Sequence, residues 1–271
     1  MPKKGFDIPK KHVWKAYKKC KNTKVVGIDG QTMRDFKVNR SKRIHELWKE
    51  LSSGKYVPSP VLRTYRRKKH GGWRPLGITT VRDHLVQQLL RDHLFSAFKE
   101  QWHPNSFFHL KGKKEGKRAT LAPKRDRWLR YEWTLIVDIE KCAENIDHQT
   151  LMDMLRKHFN NSWVLLYTER LVKAPAQMND GTLVRGIKGI PQGNSLSYFL
   201  VDFYLHDIFD QWMEKNHPKI VFERFLDDIY IHCHSEDEAQ NLLSQISERF
   251  TQYKLKINKK KTKIVYGQDG L

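Results

Sequence analysis

The sequence VFERFLDDIYIHCH, residues 221–234, contains two apolar, β-rich runs that meet at Asp227 and Asp228. Side chains alternate between the two faces of a strand, so adjacent aspartates reach one site only at a bend or a hairpin turn. The pattern therefore predicts a β-hairpin with the two carboxylates at its tip. An isolated Asp-Asp pair is more often an ordinary exposed turn, so a second acidic element is needed to indicate chemistry.

The run WTLIVDIEK, residues 133–141, is that second element, because it predicts a buried strand that ends at Asp138. Three carboxylates gathered in one sheet repel one another unless positive charge compensates them. Two Mg²⁺ ions would do so, since they prefer oxygen ligands and bridge phosphate groups; Mn²⁺ is the alternative ion. In a two-metal site one ion activates the attacking hydroxyl group and the other stabilises the leaving group.

The remaining pattern predicts a mixed α+β protein. From Trp133 onwards the order is β-α-α-α-β-β-α-β, which is typical of an antiparallel sheet backed by helices. Ser41 is the expected N-cap of one earlier helix, and Gly54 is the residue expected just beyond its end. Helical spacing covers 41–54, 81–102, 148–159, 162–174, 189–215 and 236–253, and strand-like runs cover 133–141, 221–234 and 255–266.

Charge is distributed unevenly along the 271 residues, whose net charge is +21. Residues 1–74 carry 22 Lys and Arg against 5 Asp and Glu, and residues 111–130 carry 9 against 2. Residues 131–253 reverse the sign, with 11 basic against 19 acidic side chains. Basic segments bind polyanions through phosphate contacts and counterion release. The acidic centre repels a polyanion unless cations are present, and this division is what a polymerase requires. Composition alone still favours a general basic nucleic-acid-binding protein, such as a ribosomal one, and only the motifs reverse that order.

The apolar stretches and the cysteines indicate where the protein is located. No stretch approaches the roughly 20 apolar residues that cross a bilayer, and the N-terminal sequence lacks the apolar core of a signal peptide. Cys20, Cys142 and Cys233 are far apart and lack CxxC spacing. Widely spaced cysteines suit a reducing compartment without disulfides or zinc. We therefore expect a cytoplasmic protein that makes no use of a membrane.

Six motifs in a fixed order make the chain resemble the reverse transcriptases of the bacterial group II intron lineage from about residue 27 to residue 265. Single motifs such as PQG or DD are weak signals, whereas their common order is specific. The motifs are GIDGQT (27–32), the run from GKYVPSP to VRDHLVQQLL (54–90, containing RPLGI), DIEKCAENIDH (138–148), GIPQGNSLS (189–197), RFLDD (224–228) and LKINKKKT (255–262).

The resemblance implies a right-hand polymerase fold. Residues 1–130 would form an N-terminal extension and the fingers, and residues 131–271 the palm, with part of 150–188 assigned alternatively to the fingers. The palm would contain the antiparallel sheet and its helices. Because the sequence ends at Leu271, soon after the closing palm motif, we expect the thumb to be absent from this chain. Either the chain is a fragment or another chain supplies the thumb.

The resemblance also assigns roles in the palm. Asp138, Asp227 and Asp228 match the catalytic metal ligands, and the backbone carbonyl of Ile139 matches a further ligand. Lys261 matches the lysine of the closing motif, which can serve as the acid for the leaving group. Each lysine or arginine of these motifs also has a simpler interpretation as part of a solvated charged surface.

The resemblance also assigns several residues to nucleotide binding. Arg74 matches the fingers arginine that binds the triphosphate, and Arg67 and Lys69 are candidates for a second contact. Gln192 and Gly193 match the turn that packs against the incoming nucleotide and the primer end.

Three departures leave the subfamily open. The aromatic residue that excludes a 2′-hydroxyl in the family is replaced by Ala143. The resemblance places Ala143 among the nucleotide-binding residues. A gap at Ala143 would admit ribonucleotides unless Tyr198 or Phe199 fills it. The usual PQGG and Ser-Pro are replaced by PQGN, with Asn194, and by Ser-Tyr. In having Asn at that position, the chain resembles the reverse transcriptases of diversity-generating retroelements.

The leading hypothesis is an RNA-directed DNA polymerase that extends a primer 3′-hydroxyl with dNTPs on an RNA template. One alternative is a catalytically weak, reverse-transcriptase-like scaffold that binds RNA. Another is a polymerase with relaxed choice between dNTPs and rNTPs. A cognate structured RNA and a chain that supplies the thumb are candidate partners. Intron mobility, diversification and phage defence all remain open as the biological role.

Overall fold

A computed structural model describes residues 5–23, 26–67, 71–108 and 131–267. The chain divides into two compact units. The first comprises Met1–Lys99 and Leu155–Ser197, and the second comprises Glu100–Met154 and Tyr198–Leu271. The division into fingers and palm after residue 130 is a functional assignment, and it stays a prediction.

The structure contains helices at nearly every predicted position. In chain order they are α1 (Lys10–Cys20), α2 (Met33–Val38), α3 (Arg40–Ser52), α4 (Val81–Phe98), α5 (Cys142–Asn145), α6 (His148–His158), α7 (Ser162–Val172), α8 (Ser195–Leu205), a π-helical turn (His206–Asp210), α9 (Gln211–Asn216) and α10 (Glu236–Gln252). The strands are β1 (Val61–Arg67), β2 (Trp73–Ile78), β3 (Trp133–Asp138), β4 (Ala176–Gln177), β5 (Leu183–Val184), β6 (Val221–Phe225), β7 (Asp228–Cys233) and β8 (Lys263–Tyr266).

Local capping explains where several helices begin and end. The predicted N-cap at Ser41 is wrong, because α3 begins at Arg40 and its N-cap is Asn39. The prediction for Gly54 is confirmed, since this residue follows the helix end with a positive φ of 77°, which glycine adopts without steric cost. Helix α4 begins where the Thr80 side chain accepts a hydrogen bond from the Asp83 N–H, and it ends at Phe98 rather than at residue 102.

The first unit contains a sheet with strand order β2-β1-β4-β5. Strands β1 and β2 pair antiparallel, and β4 runs parallel to β1. The sequence predicted neither β4 nor β5, which have two residues each. Beneath the sheet, the buried Tyr56 donates a 2.6 Å hydrogen bond from its hydroxyl group to Asp83 of α4.

The second unit contains a four-stranded antiparallel sheet with strand order β6-β7-β3-β8. Helix α10 packs on it through Leu242, Ile246 and Phe250, which are buried. The predicted antiparallel sheet with helices against it is therefore confirmed. The last strand is shorter than the run 255–266 suggested, since only Lys263–Tyr266 form β8.

Two further expectations concern membranes and thiols. Within the described ranges, no helix is both long enough and apolar enough to cross a bilayer. Cys20, Cys142 and Cys233 are all buried free thiols.

Candidate active site

The hairpin between β6 and β7 places two aspartates at its tip. Phe225 pairs with Asp228, so Leu226 and Asp227 form the turn. Leu226 has a φ of 57°, a left-handed conformation that costs a non-glycine residue about 1–2 kcal/mol. Asp227 and Asp228 are exposed, whereas the following Ile229 is buried. The apolar run thus anchors the hairpin and leaves its carboxylates accessible, as predicted.

Asp138 lies directly across the sheet from Asp228, because β3 and β7 pair in that register. Side chains at directly opposite positions have Cβ atoms about 4.5–5.5 Å apart, and like charges there are destabilising. A lysine already compensates part of this charge. Nζ of Lys261 lies 3.0 Å from Oδ2 of Asp138. Two residues predicted from separate motifs are therefore in direct contact.

Asp227 acts in the same neighbourhood as Asp138. Burial raises the pKa of the Cys142 thiol well above its usual value, and the negative charges of Asp227 and Asp138 raise it further. The positive charge of Arg224 opposes this rise in the thiol pKa. Both aspartates therefore lie within electrostatic range of one buried sulfur atom, which lies at the start of the short helix α5.

The closing segment fixes the end of β3. The Asn258 N–H donates to the Asp138 carbonyl and the Glu140 N–H donates to the Lys256 carbonyl, both at 2.8 Å. In an antiparallel ladder, neighbouring residues direct their polar groups to opposite sides. Ile139, bridged to Ile257, therefore directs its carbonyl towards the β7 side, which carries Asp228. This orientation is the one that a metal-binding carbonyl would need.

The donor set fits a hard divalent cation. In the described part of the chain, no group of three or more His, Cys, Asp and Glu side chains is gathered closely enough to hold a metal ion. Asp138 and Asp228 nevertheless supply carboxylate oxygens from adjacent strands, and oxygen ligands are those that Mg²⁺ prefers. One of the two carboxylates already contacts a cationic group, Lys261. Binding of metal by all three aspartates stays a prediction.

The second aspartate of DIEKCAENIDH has a structural role that the sequence analysis missed. Asp147 accepts a 3.0 Å hydrogen bond from the Thr150 N–H at the start of α6 and a 2.9 Å hydrogen bond from Lys254. Burial works to raise the pKa of Asp147, but Lys254 and Thr150 outweigh it and lower the pKa to about 2. The signal was an aspartate just before a helical pattern, which is typical of an N-cap.

The β1–β2 hairpin carries Arg74, and its register identifies a residue that the sequence analysis missed. Arg74 lies directly opposite Arg66, whereas Arg67 lies opposite the exposed Trp73 on the other face of the hairpin. Two facing arginines repel each other unless an anion lies between them. Arg66 is therefore the better candidate than Arg67 for a second phosphate contact. The sequence signal was the turn pattern at residues 70–72 between the two runs, which does not by itself determine this register.

Two predicted nucleic-acid-binding elements lie outside the described residues. Lys69, the other candidate for a second phosphate contact, is one of them. The basic segment 111–130 is the other. Both assignments stay predictions.

The PQG turn lies against the edge strand that carries Arg74. The Gly77 N–H donates to the Gln192 carbonyl at 2.8 Å. Gly193 has a φ of 113°, and a Cβ placed there would be 3.6 Å from the side chain of Leu76. Gln192 and Gly193 thus belong to the same local structure as Arg74, although binding of nucleotide by either residue stays a prediction.

The asparagine of PQGN acts as a helix cap. The side-chain oxygen of Asn194 accepts a 2.8 Å hydrogen bond from the Ser197 N–H in the first turn of α8. The Ser197 hydroxyl in turn donates to the Pro191 carbonyl. Asparagine is among the best N-cap residues, so this departure from PQGG has a local structural reason.

Ala143 lies in α5, directly after the buried Cys142, and is half-buried. Phe199 is buried between Trp102 and Phe203, with ring centroids 5.8 and 6.0 Å away. Its ring is therefore a core side chain rather than a substitute for the missing aromatic residue. Tyr198 is exposed and contacts Phe108, so it is the remaining candidate of the two.

Comparison with known proteins identifies the family of the chain. The sequence model of the family described as "Reverse transcriptase (RNA-dependent DNA polymerase)" matches residues 66–271. The chain is 29% identical to the group II intron-encoded protein LtrA of Lactococcus lactis subsp. cremoris over 189 residues, which are 69% of this chain and 31% of that protein.

Other relatives give similar values. Identity is 25% to the putative COX1/OXI3 intron 1 protein of Saccharomyces cerevisiae, over 73% of this chain and 24% of that protein. It is also 25% to protein YkfC of Escherichia coli, over 70% of this chain and 50% of that protein. The chain thus spans between a quarter and a half of the length of these relatives. Since the family match covers well over half of the chain, the chain belongs to the reverse transcriptase family, in its group II intron-like lineage.

Proposed function

We propose that this chain is an RNA-directed DNA polymerase that extends a primer 3′-hydroxyl with dNTPs, and that it contributes fingers and palm. Two cross-strand pairs of like charge carry the proposal. Asp138 faces Asp228 in the second unit, and Arg66 faces Arg74 in the first. Each pair is unfavourable alone and becomes favourable when a ligand of opposite charge binds. Cations and a polyphosphate are the two ligands that a nucleotidyl transfer requires.

Family membership implies a divalent metal, and we propose two Mg²⁺ ions held by Asp138, Asp227, Asp228 and the Ile139 carbonyl. When bound, such ions lower the pKa of the attacking hydroxyl group and neutralise the developing charge on the leaving group. The sheet contributes by holding the oxygen ligands on adjacent strands before substrate binds. Preorganisation of this kind reduces the reorganisation needed at the moment of reaction.

The protein's basic groups would act on the phosphates. The guanidinium groups of Arg66 and Arg74 would bind phosphate oxygens through pairs of parallel hydrogen bonds. Nζ of Lys261, now 3.0 Å from Asp138, would donate a proton to the pyrophosphate as it leaves. Gln192 and Gly193 would shape the nucleotide pocket through the turn that rests on β2. RNA template, primer and dNTPs are the proposed partners, together with a structured intron-type RNA.

Primer extension on an RNA template tests the proposal directly. The purified protein is offered dNTPs and rNTPs separately with Mg²⁺ or Mn²⁺, and Asp227→Ala serves as the control. We expect DNA synthesis by the parent protein and none by the variant, with RNA affinity nearly unchanged. RNA binding without extension in any of these conditions would instead favour the scaffold alternative.

A further inference from the structure

Arg224, three residues before Asp227, is a fully buried charged side chain that the proposed reaction does not use. Its relative exposure is 0%, and lysine and arginine are almost never fully buried unless they are paired. It is the penultimate residue of β6, and its backbone carbonyl accepts a 2.9 Å hydrogen bond from the Phe107 N–H. A charge buried at this point must be stabilised by groups of opposite charge.

Two buried carboxylates fix the guanidinium group. Nε and Nη2 donate to the two oxygens of Asp210 at 2.7 and 2.6 Å, and Nη1 donates to Asp202 at 2.7 Å. The Ser106 hydroxyl accepts from Nη2 at 2.9 Å. Burial works to raise the pKa of Asp210, but Arg224 outweighs it and lowers that pKa. The two-pronged contact with Asp210 is the rigid geometry that arginine forms and lysine cannot.

The π-helical turn brings both carboxylates to the same guanidinium group. Asp202 and Asp210 are eight residues apart, and the π-helical turn His206–Asp210 lies between them. A π-turn contains about one residue more than the 3.6 residues of an α-turn. One turn of each kind therefore returns the chain to the same face after eight residues. The irregular helix turn thus places both carboxylates on the guanidinium group.

A further hydrogen bond of Arg224 reaches the hairpin turn. Nη1 donates to the carbonyl of Leu226 at 3.1 Å, the residue with a φ of 57° immediately before Asp227. Left-handed backbone at a leucine costs about 1–2 kcal/mol and persists only when surrounding groups hold it. The ion cluster is thus connected to the strained residue that directly precedes the two aspartates.

We propose that Arg224 is a positioning residue, whose guanidinium group, fixed by Asp202 and Asp210, holds the Leu226 carbonyl and thereby orients Asp227 and Asp228. The inference rests on the proposed polymerase function. The effect of this buried side chain on the conformation of the hairpin tip can be measured without any catalytic activity. Catalytic geometry must be held to within about 0.5 Å, which is a smaller tolerance than folding alone requires.

Arg224→Lys is the main test, because it keeps the positive charge that the carboxylates need and loses the planar fork. Arg249→Lys is the matched control in the same unit. Nε of Arg249 also donates to a backbone carbonyl, that of Ile208 in the π-helical turn, at 2.9 Å. Among the described contacts it makes none with the hairpin, so this variant tests whether a change at the turn is sufficient without loss of the Arg224 guanidinium group. Ser106→Ala is a milder variant that removes one acceptor of Arg224 and keeps every charge.

Two measurements are made on each variant, at temperatures where thermal unfolding shows it to be folded. One is kcat and KM for dTTP on a poly(rA) template with an oligo(dT) primer, and the other is amide hydrogen exchange across residues 225–229. For Arg224→Lys we expect kcat to fall by about 10–100-fold, since a misplacement near 1 Å costs about that much. KM should change by less than about twofold, and hairpin exchange should accelerate about tenfold, whereas Arg249→Lys should change neither.

Leu226→Asn provides a rescue, because asparagine tolerates left-handed backbone better than leucine does. In the Arg224→Lys background it should recover kcat by about threefold or more. If Arg224→Lys does not fold, Ser106→Ala decides the question, with an expected fall in kcat of about two- to fivefold. Equal kcat and equal hairpin exchange in Arg224→Lys and Arg249→Lys would overturn the inference, as would a loss confined to KM.

Failure of the proposed function has a different signature. If the parent protein does not extend a primer, the polymerase proposal fails, and hydrogen exchange at the hairpin still decides the role of Arg224. Faster exchange in Arg224→Lys would then support the positioning of the turn without the chemistry. Unchanged exchange in that variant would refute the positioning role whether or not the parent is active.

Discussion

Gly77→Ala tests whether contact between β2 and the PQG turn determines nucleotide binding. A Cβ at this position would be 2.7 Å from a methyl group of Val61 and 2.9 Å from Cβ of Pro191. Carbon atoms in ordinary contact are about 3.5–4.0 Å apart. The new methyl group therefore needs about 0.6–1.3 Å of additional space on both sides. Because Val61 is buried and Pro191 is rigid, the turn must move away from the strand.

The expected magnitude follows from that displacement. Overpacking a buried position costs about 1–3 kcal/mol, so the free energy of unfolding should fall by about this amount. Displacing Gln192 and Gly193 by about 1 Å should raise KM for dNTP by about tenfold or more. RNA affinity should change little, because the substitution removes no charge. Urea denaturation measures the first effect, and steady-state primer extension at varied dNTP measures the second.

A double variant separates the two contacts. Val61→Ala in the Gly77→Ala background removes the methyl group that clashes at 2.7 Å and leaves the contact with Pro191. We expect part of the stability to return while KM for dNTP stays high. Recovery of KM in the double variant would show that the sheet, rather than the PQG turn, was disturbed. A Gly77→Ala protein with parental stability and parental KM would refute the reasoning altogether.

Three further predictions follow from the site. Arg66→Ala should raise KM for dNTP about as much as Arg74→Ala does, whereas Arg67→Ala should raise it less, because only Arg66 faces Arg74; equal effects of Arg66→Ala and Arg67→Ala in steady-state kinetics would contradict the register argument. Asp147→Asn should lower the free energy of unfolding by about 1–2 kcal/mol at neutral pH, since the pKa is lowered from 3.8 to about 2 and exposed Lys254 is partly screened. The contribution of the carboxylate is complete above its unfolded pKa and disappears as the pH falls towards 2, so denaturation curves of parent and variant should converge there. Ala143→Phe should increase the preference for dNTP over rNTP in kcat/KM, because a ring would meet the 2′-hydroxyl; an unchanged ratio would mean that another side chain already excludes ribonucleotides.

Local patterns were sufficient where a single element decides the structure. The hairpin at Asp227 follows from two apolar runs around a polar pair, and α10 follows from helical spacing after Ser235. Strands β4 and β5 were not predicted, because two residues cannot show a period. The N-cap of α3 was misplaced by two residues, since Asn39 and Ser41 are both good cap residues and Asn39 makes no side-chain cap hydrogen bond that would distinguish it.

Contacts between distant segments could not be predicted in the same way. Arg66 was missed because its candidacy depends on which residue of β2 it faces. That register of β1 against β2 could not be read from either run alone. The partners of Arg224 come from a π-helical turn and from the segment at Ser106, 118 residues earlier in the chain. Asp147 was recognised as part of a motif, but its contact with Lys254 reaches a residue 107 positions later that lies just before the closing motif.

Backbone strain connects these missed contacts to the candidate site. Among the described residues, the non-glycine residues with positive φ are Lys141, Leu226 and Lys254. The first two lie within acidic motifs, and Lys254 directly precedes the basic closing motif. Propensity opposes all three, since lysine and leucine rarely adopt this conformation.

Each of these residues is braced by a neighbouring polar side chain. The Asn145 amide donates to the carbonyl of Glu140, just before Lys141, Arg224 donates to that of Leu226, and Asp147 accepts from the side chain of Lys254. Strain of about 1–3 kcal/mol at each position persists only where the surrounding structure over-determines it. Asn145 and Arg224 are near neighbours in the chain of the carbonyl groups that they hold, so local side chains support this strain as well as distant ones. Lys141 and Leu226 lie in the two motifs that contain the candidate metal-binding aspartates. The strained backbone thus marks segments in which geometry is under tight constraint.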